Sequence, residues 1–490
     1  MDVLAILYPN GLGLFTDLYQ VTMAYGYWKT GVQDRDSVFQ LFFRCNPFRG
    51  GYTIAAGLET AIDYLAHLRF SHEDLAYLGS LVGNDERPLF EPAFVDYLGR
   101  MRFGCDVDAI AEGTVVFPHE PLVRVRGPLL QAQMLESALL CIVNFQTLIA
   151  TKAARIVMAA QGQPVLEFGL RRAQGIDGAL SASRAAFIGG CAATSNLLAG
   201  RLFGIPVRGT HAHSWVMCFD DELEAFRQYA RAMPNNCVFL VDTYDTLQGV
   251  RNAITVAREL REAGHEMVGV RLDSGDLAWL SIEARRLLDE AGFPEAKIVA
   301  SNELDENIIA NLQQQGARIA VWGVGTKLVT AFDDPALGGV YKLAAVRSRG
   351  GPWQYKVKLS EQAIKTSNPG VLQVARYYSA TEAIGDMIYD EEQPAEGESV
   401  AIDPLDPTRR KKMPRDARRE DLLLPIFRQG KLVYEPPKLA AIRERTERQL
   451  AAFHGGIKRF VNPHQYPVGL EAGLHERKTK LILHARELSP

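Results

Sequence analysis

Residues 267–276, Met-Val-Gly-Val-Arg-Leu-Asp-Ser-Gly-Asp, decide the fold class of this chain. They predict a short apolar strand that ends at Asp273, then a polar turn, then a helix from Asp276 to Ala291. The same order of strand, turn and helix recurs at 165–175, 238–263, 297–315 and from 318 onward. Strands and helices that alternate at this spacing predict right-handed crossovers and a parallel sheet.

The repeats are too few for a regular eightfold barrel, so we expect an irregular or incomplete α/β barrel, with an open doubly wound sheet as the alternative. A chain of 490 residues exceeds one ordinary domain. We expect an N-terminal mixed α+β domain at 1–125, the barrel at 126–345, and a C-terminal segment at 346–490 that is β-rich and then helical. This last segment is expected to pack with the N-terminal domain.

Composition predicts a soluble, cytoplasmic protein. The formal net charge of −4 argues against a basic nucleic-acid surface. Six cysteines are scattered without a C-x-x-C pair, which is typical of a reducing compartment. Residues 1–15 lack the features of a secretory signal, and polar residues interrupt the apolar run 135–150, which favours a buried helix over a membrane span.

The segment 391–420 is rich in proline, glutamate, arginine and lysine, which predicts an exposed loop. It contains four consecutive basic residues, Arg409 to Lys412. A run of like charge is most simply a solvated face, so no function is assigned to it.

Polar residues and glycines lie where the predicted strands end. They are Asp242 and Thr243; Arg271, Asp273 and Ser274; Ser301 and Asn302; and Gly323, Gly325 and Thr326. Each alone has an ordinary structural explanation, because Asp and Ser commonly cap helices and glycines are common in turns. Four such ends in register predict a ligand site, since the carboxyl ends of parallel strands meet at one rim.

The segment Trp322-Gly-Val-Gly-Thr-Lys327 offers backbone N–H groups at the start of a helix, an arrangement that suits a phosphate. It does not match the P-loop pattern and is weak evidence alone. It gains weight because Ser301 and Asn302 precede it by one strand–helix unit. Adjacent loops late in a barrel commonly hold phosphate.

Two histidines lie in the segment Arg208-Gly-Thr-His-Ala-His-Ser-Trp215. Metal binding would need a further carboxylate or histidine at a recognisable spacing, and the sequence has none there. We interpret His211 as a core or surface histidine without a chemical role. His213 is a candidate nucleophile or phosphate acceptor, because imidazole is uncharged and nucleophilic near neutral pH.

Six segments occur in the order found in nicotinate phosphoribosyltransferases, and the chain resembles that family from about residue 14 to residue 375. The segments are Thr16-Asp-Leu-Tyr-Gln20, Glu167-Phe-Gly-Leu-Arg-Arg172, Gly209-Thr-His-Ala-His-Ser214, Val270-Arg-Leu-Asp-Ser-Gly-Asp276, Ala300-Ser-Asn302 and Gly323-Val-Gly-Thr326. The resemblance implies a type II phosphoribosyltransferase fold and a head-to-tail homodimer with active sites at the subunit boundary.

The resemblance also implies a reaction, the first step of NAD synthesis from nicotinate. Nicotinate and 5-phosphoribosyl 1-diphosphate give nicotinate mononucleotide and diphosphate. ATP hydrolysis is coupled to this transfer through a phosphohistidine, and Mg²⁺ is expected as the cofactor because the leaving diphosphate must be neutralised.

Roles follow for the residues that bind the pyridine. Tyr19 resembles the aromatic residue that reaches across the dimer to stack on the ring, and Phe168 would cover the opposite face. Arg171 and Arg271, with the hydroxyl of Thr210, would hold the carboxylate or the adjacent phosphates, because a guanidinium suits either anion.

Roles for the sugar phosphate and for ATP follow in the same way. The 5-phosphate would lie against the loops that contain Ser301, Asn302, Gly323, Gly325 and Thr326. Asp242 and Asp273 are candidates for the ribose hydroxyls, for Mg²⁺ or for the partner of the histidine. His213 resembles the histidine that ATP phosphorylates.

Other functions are weighed against this one. A nicotinamide- or quinolinate-using phosphoribosyltransferase is the nearest alternative. Nicotinamide-using relatives carry an Asp near the position of Ala192, and an uncharged site suits a carboxylate better. A barrel protein that binds a phosphorylated metabolite without catalysis is a second alternative, against which the presence of His213, Arg271 and Asp273 speaks.

Overall fold

The computed structural model describes residues 3–394 and 399–487. Its helices are α1 Val3–Leu7, α2 Leu18–Lys29, α3 Leu58–Ala66, α4 His72–Ser80, α5 Pro92–Arg100, α6 Leu129–Met134, α7 Glu136–Ala159, α8 Gly175–Ile188, α9 Leu197–Phe203, α10 His213–Met217, α11 Glu222–Ala232, α12 Thr246–Glu262, α13 Leu277–Glu290, α14 Glu306–Gln314, α15 Thr326–Val329, α16 Leu439–Ala451 and α17 Ala472–Ala485.

Its strands are β1 Asp36–Phe43, β2 Thr53–Ile54, β3 Asp106–Ile110, β4 Val115–Val116, β5 Val123–Pro128, β6 Val165–Glu167, β7 Ala193–Thr194, β8 Val238–Leu240, β9 Gly269–Leu272, β10 Lys297–Ala300, β11 Val321–Val324, β12 Gly339–Arg347, β13 Gln354–Tyr355, β14 Leu372–Ser379, β15 Glu382–Asp390, β16 Val400–Ile402, β17 Arg410–Lys412, β18 Arg418–Asp421, β19 Leu423–Arg428, β20 Lys431–Leu432 and β21 Val468–Glu471.

The chain divides into two units. The barrel unit is Ile149–Pro335, and the mixed unit joins Met1–Leu148 with Ala336–Pro490. The sequence predicted limits of 126–345 for the barrel, and these differ from the observed limits for two reasons. Helix α7 is continuous through residue 148, and β12 pairs with β1 of the N-terminal segment rather than with a barrel strand.

The barrel unit contains a parallel sheet in the order β7-β6-β11-β10-β9-β8. All five strands predicted in this region are present, and helices α12, α13 and α14 each connect one strand to the next as the crossovers predict. Six parallel strands in one sheet, fewer than the eight of a regular barrel, confirm the incomplete α/β architecture. The two-residue strand β7 was not predicted, because it is too short to produce a pattern.

The mixed unit is built from strands that are distant in the sequence. A seven-stranded antiparallel sheet has the order β13-β12-β1-β5-β3-β19-β20 and combines N-terminal with C-terminal segments. A second, six-stranded sheet has the order β17-β16-β21-β15-β14-β18, in which β15 and β21 are parallel. The expected packing of the C-terminal segment with the N-terminal domain is confirmed by these pairings.

The expectation of an exposed loop at 391–420 is wrong for three short strands in this segment. Strands β17 and β18 are the two edges of the six-stranded sheet, and β16 lies between β17 and β21. Residues 395–398 lie outside the described residues. Edge strands commonly carry charged side chains, which keep them from pairing with other chains. The composition therefore resembled that of a loop although the backbone is paired.

Helix α7 contains the apolar run noted at 135–150. By length and composition it could cross a membrane, yet 67% of its most apolar window is buried inside the protein. Burial of this extent is typical of the core helix of a folded domain. The polar residues that interrupt the apolar run had predicted such a buried helix.

Three charged side chains are buried together in the mixed unit. Arg376 donates from Nε and Nη2 to both carboxylate oxygens of Asp386, at 2.6–3.1 Å, and neither side chain is exposed to solvent. Tyr466 also donates to Asp386, at 2.8 Å. The carboxyl group of Glu120 lies nearby, and burial and the negative charge of Asp386 raise its pKa well above the ordinary value.

Glu120→Gln is expected to flatten the dependence of stability on pH. The unfolded chain loses the Glu120 proton near the ordinary pKa of about 4.3, whereas the folded chain keeps it to higher pH. The folded state therefore binds more protons in this interval, and the free energy of unfolding falls as the pH rises. Glutamine carries no titrating proton but keeps an oxygen for the backbone N–H of Phe117, which Glu120 accepts at 2.8 Å.

Urea unfolding at pH 5, 6, 7 and 8 measures this effect. Each pH unit within the interval is worth up to about 1.4 kcal/mol in the wild-type chain. The exposed Glu382→Gln variant, in the same unit, should keep the wild-type slope. Equal slopes for wild type and Glu120→Gln would contradict the prediction.

Candidate active site

Aspartates follow the barrel strands in two different settings. Asp245, Asp276 and Asp305 cap helices α12, α13 and α14, because each accepts a backbone N–H of the first turn. Asp242 and Asp273, which lie closer to the strand ends, cap no helix and contact polar side chains instead. The ordinary capping explanation therefore applies to the first three, and Asp242 and Asp273 remain available to a ligand.

Arg271 is the centre of a hydrogen-bonded group at the ends of β9 and β10. Its Nε donates to Ser301 Oγ at 2.8 Å, Nη1 to Thr210 Oγ1 at 2.9 Å and Nη2 to Asp273 Oδ1 at 3.0 Å. Its guanidinium carbon lies 5.8 Å from the centre of the Phe168 ring. The structure thus brings four other residues that were predicted for the site around the cation of Arg271.

His213 begins helix α10 beside the same group. Its Nδ1 is 3.1 Å from the hydroxyl of Thr243, with which it forms a hydrogen bond. Its Nε2 lies 3.7 Å from Asp273 Oδ2 and 4.0 Å from Asp242 Oδ1. The other carboxylate oxygen of Asp242 accepts a hydrogen bond from Ser274 Oγ at 2.5 Å. The imidazole is therefore held from one side by a hydroxyl and faces two carboxylates on the other.

His211 is buried, in contrast to the half-exposed His213. Its Nε2 accepts the backbone N–H of Leu240 at 3.2 Å, and its ring packs against Tyr229, Phe226 and Phe239. Burial lowers its pKa to about 4, so the ring is neutral at physiological pH. His211 thus fixes the loop before His213 against strand β8.

The predicted phosphate loops lie after β10 and β11. Asn302 has a φ of 108°, a left-handed conformation that asparagine tolerates better than most residues. Gly325 precedes helix α15, and Thr326 Oγ1 donates to Glu303 Oε1 at 3.3 Å. Because Glu303 belongs to the first loop and Thr326 to the second, this bond joins the two.

Gly323 lies inside strand β11, within the strand predicted at 318–325. A Cβ atom there would come within 2.7 Å of the Phe168 ring. A glycine at this position therefore leaves room for the aromatic ring that the sequence predicts under the pyridine.

Glu167 is a residue whose importance the sequence reasoning missed. It is buried at the end of β6, where one carboxylate oxygen accepts the N–H of Gly169 and the other accepts Ser183 Oγ at 2.8 Å and Thr194 Oγ1 at 2.5 Å. These bonds fix the turn that carries Phe168. An acidic residue at the end of an otherwise apolar strand was the available signal.

Two further residues that were predicted to share a site with the Arg271 group have exposed side chains. Arg171 is exposed in the 3-10 turn Leu170–Arg172, and within the described residues it makes no hydrogen bond to that group. Tyr19 belongs to the mixed unit, where its side chain is 48% exposed on helix α2. Both are accessible to a ligand.

The carboxylates of Asp242 and Asp273 at the rim suit a cation that also binds oxygen atoms of a bound substrate. Among the residues described, no group of three or more His, Cys, Asp or Glu side chains forms a complete metal site. Oδ1 of Asp242 is nevertheless buried without a hydrogen-bond partner, near Asp273. One or two carboxylates together with phosphate oxygens is the ligand set that Mg²⁺ commonly takes.

The chain matches models of known protein families, and one of these matches includes the rim. Three family models match the chain: the nicotinate phosphoribosyltransferase N-terminal domain at 14–144, the nicotinate phosphoribosyltransferase family at 164–353, and the C-terminal domain at 372–478. The chain belongs to the nicotinate phosphoribosyltransferase family. Every residue placed in the rim above lies within the second match.

Individual members of this family are similar over the whole chain. The nicotinate phosphoribosyltransferase of Bacillus subtilis is 45% identical over 96% of both chains. The crystal structure of the human nicotinic acid phosphoribosyltransferase matches with a TM-score of 0.83 and 34% identity, over 95% of this chain and 99% of that one. The nicotinate-nucleotide pyrophosphorylase of Pyrococcus furiosus, at 23% identity and a TM-score of 0.68 over 90% and 95% of the chains, shares the fold.

Proposed function

We propose that the chain transfers the phosphoribosyl group of 5-phosphoribosyl 1-diphosphate to nicotinate and couples this transfer to ATP hydrolysis. The observation that carries the proposal is the group at the rim, in which Arg271, Asp273, Asp242 and His213 lie together. A fixed cation for an anionic substrate stands beside an imidazole and two carboxylates. Family membership supports the same assignment.

Nicotinate would bind with its ring against Phe168, which Gly323 allows close to the sheet. Stacking places a flat ring but does not fix its edge, so a charged group must hold the carboxylate. Arg271 and the exposed Arg171 are the candidates, with the hydroxyl of Thr210, because guanidinium groups bind carboxylates and phosphates through paired hydrogen bonds.

Replacement of Arg271 or Arg171 by Gln is expected to weaken the use of nicotinate far more than that of nicotinamide. A hydrogen bond to a charged group contributes about 1.5–3 kcal/mol, which is about tenfold to a hundredfold in kcat/KM. Steady-state kinetics with both pyridines measure the difference. Arg286→Gln, an exposed helical arginine of the same unit, is the matched control. Equal losses for the two pyridines would assign these arginines to the phosphates instead.

Transfer requires that the pyridine nitrogen form a bond to ribose C1 as the C1–oxygen bond to the diphosphate breaks. The 5-phosphate would be held by Ser301, Asn302, Gly325 and Thr326, whose loops are joined by a hydrogen bond. Asp242 and Asp273 would hold Mg²⁺ together with phosphate oxygens, and the cation would neutralise charge on the departing diphosphate.

ATP would act through His213. A ring nitrogen would attack the γ-phosphorus, the bond to the β-phosphate oxygen would break, and ADP would leave. The attacking nitrogen would be the one without a proton, and the proton on the other ring nitrogen would pass to a neighbouring acceptor. Nε2 faces the Asp273 carboxylate at 3.7 Å, and Nδ1 faces the hydroxyl of Thr243 at 3.1 Å. Hydrolysis of the phosphohistidine would then return phosphate and free His213, so one ATP is consumed in each cycle.

A homodimer is part of this proposal, because apolar side chains surround the rim without cover. Exposed apolar residues follow the ends of the barrel strands: Leu170, Leu197, Met217, Tyr244, Trp279 and Phe332. Phe15, Leu18 and Tyr19 are likewise exposed on the mixed unit. Exposed apolar surface of this kind is typical of protein interfaces. A second copy would cover both surfaces and would bring its Tyr19 to the pyridine.

Tyr19→Ala is expected to weaken nicotinate binding while the dimer persists. If each site uses Tyr19 of one copy and Arg271 of the other, a mixed dimer of Tyr19→Ala and Arg271→Ala chains has one site free of both substitutions. Mixing the two impaired proteins should therefore raise the activity above that of either alone, up to about half of the wild-type value in the mixed dimers. Activity that stays absent after confirmed subunit exchange would argue against a shared site.

The proposal as a whole is tested by product formation from nicotinate and 5-phosphoribosyl 1-diphosphate, with and without ATP, beside nicotinamide and quinolinate. Nicotinate mononucleotide with ATP stimulation is the expected result. Preference for another pyridine, or no turnover with any, would overturn it. We place the reaction in the cytoplasm, since the six cysteines are scattered in the sequence without a C-x-x-C pair.

A further inference from the structure

The mixed unit contains a large open cavity of about 680 Å³. Its walls come from the turn after β1, the segment 117–119, the segment 401–411 and the segment 463–469. Sites for small molecules commonly have volumes of about 300–1,000 Å³. No residue of the rim described above lines this cavity, so it is a separate feature of the chain.

Cations dominate the lining. Five arginine and lysine residues face it with two histidines, against the single carboxylate of Asp403: Arg44, Arg49, Arg409, Arg410, Lys411, His119 and His464. Three of the cations belong to the basic run at 409–412, for which the sequence suggested only a solvated face. Strand β17 pairs with β16 and holds this run at the edge of the cavity.

Polar groups deeper in the wall lack partners. Nε of Arg44 and Nε2 of His119 are buried and have no hydrogen-bond partner among the described residues. Burial and the positive charges of Lys478 and Arg44 lower the pKa of His119 to about 4. An unpartnered buried donor is costly, and a positive local field that depresses a histidine pKa is the field that an anion would neutralise.

The backbone around the cavity is also unusual. Phe48, Arg49 and His119 have φ values of 57°, 49° and 69°, in the left-handed region that side chains other than glycine seldom adopt. Strained residues of this kind concentrate at ligand sites, where the surrounding structure keeps them in place. Here they shape two adjacent parts of one wall.

We propose that this cavity is an anion site that holds a diphosphate group. Five basic side chains line one cavity, which exceeds what a single phosphate needs and matches the several charges of a diphosphate. A nucleic acid needs an extended basic groove, whereas this basic lining is confined to one cavity of about 680 Å³. The inference does not rest on the proposed reaction, since it uses no residue of the rim.

Binding of inorganic pyrophosphate to the full-length chain tests the proposal. Titration is done on the Arg271→Gln chain, so that any contribution of the rim is weakened. This chain should still bind pyrophosphate. Adding Arg409→Gln and Arg410→Gln should weaken the binding by about tenfold or more, because two charge-assisted contacts are lost.

The matched control adds Arg418→Gln and Arg419→Gln instead. These are also consecutive arginines on an edge strand of the same sheet, β18, and neither lines the cavity. They should leave pyrophosphate binding unchanged. Equal affinities of the two triply substituted chains for pyrophosphate, or loss of all binding in Arg271→Gln alone, would overturn the assignment.

Hydrogen exchange on the wild-type chain gives a measurement that needs no variant. Pyrophosphate should protect the backbone at 44–51 and 403–411, and protection confined to the loops after the barrel strands would overturn the proposal. Parallel titrations with ADP, with 5-phosphoribosyl 1-diphosphate and with inorganic phosphate separate the sources. If pyrophosphate, ADP or 5-phosphoribosyl 1-diphosphate binds more tightly than inorganic phosphate, the result supports a diphosphate site, and the tightest of the three identifies the molecule that carries the group. Equal binding of inorganic phosphate and pyrophosphate overturns the proposal.

Discussion

His213→Asn is expected to abolish ATP hydrolysis and the stimulation of product formation by ATP. The reason is chemical, because asparagine offers no nucleophilic ring nitrogen to the γ-phosphate. The half-exposed side chain contributes little to packing, so the fold and the binding of 5-phosphoribosyl 1-diphosphate should persist. Slow uncoupled synthesis should remain, since Arg271 and its partners are intact.

Two measurements check this expectation. Phosphate release from ATP should fall by more than about a hundredfold, the effect expected when an essential nucleophile is removed. Wild-type enzyme incubated with γ-labelled ATP should carry a label that is lost in acid and stable in base, as phosphoramidates are. Full ATP stimulation in the variant, or label retained by it, would remove His213 from the mechanism.

The control for His213 is His265→Asn rather than a change at His211. His265 is half-buried in the same unit, and its ring hydrogen-bonds to Asn235 in the loop before β8. His211 is buried and accepts a backbone N–H, so its replacement would disturb the loop that carries His213. His265→Asn should retain both ATP hydrolysis and label.

Arg376→Met is expected to destabilise the chain by about 3–5 kcal/mol, because it leaves Asp386 as an uncompensated charge in the core. Arg376 also donates to the backbone carbonyl of Val115 and to Gln449, and both would lose a donor. Urea unfolding at pH 7 measures the loss. The loss should exceed that of any single exposed ion pair in the same unit.

The double variant Arg376→Met with Asp386→Leu separates charge from packing. It should recover a large part of the stability, since removal of both partners leaves no unpaired charge. Arg418→Met, on an exposed strand of the same sheet, should change the free energy of unfolding by no more than about 0.5 kcal/mol. A loss below about 1 kcal/mol in Arg376→Met would show that solvent reaches Asp386.

Sequence predicted the barrel unit well because its signals are local. A short apolar strand, a polar turn and an amphipathic helix each occupy neighbouring residues, and the rim follows because parallel strands end together. Arg271, Ser301 and Asp273 could be placed in one site for that reason, whereas Thr210 was placed there only by the resemblance to the family. The hydrogen bonds among these residues could not be predicted, since they depend on the distances between strands.

The mixed unit was predicted less completely because its strands pair over long separations. Nothing local at Asp108 indicates that β3 pairs with β19 some three hundred residues later. Strands of two to four residues, such as β7, β17 and β18, have no periodicity that a pattern could detect. The cavity lined by Arg44 and Arg410 was missed for the same cause, since its walls meet only in the folded chain.

The discontinuous mixed unit has a consequence for how the protein is made. During synthesis the ribosome completes residues 149–335 before it delivers β12 and β19, so β1 and β3 can pair with β5 but each has one open edge until its second partner is made. Strand edges left open in this way are prone to pair with other chains. The nascent chain therefore needs protection by chaperones until its last segment emerges, and truncation after residue 335 should give an aggregating product rather than a stable fragment.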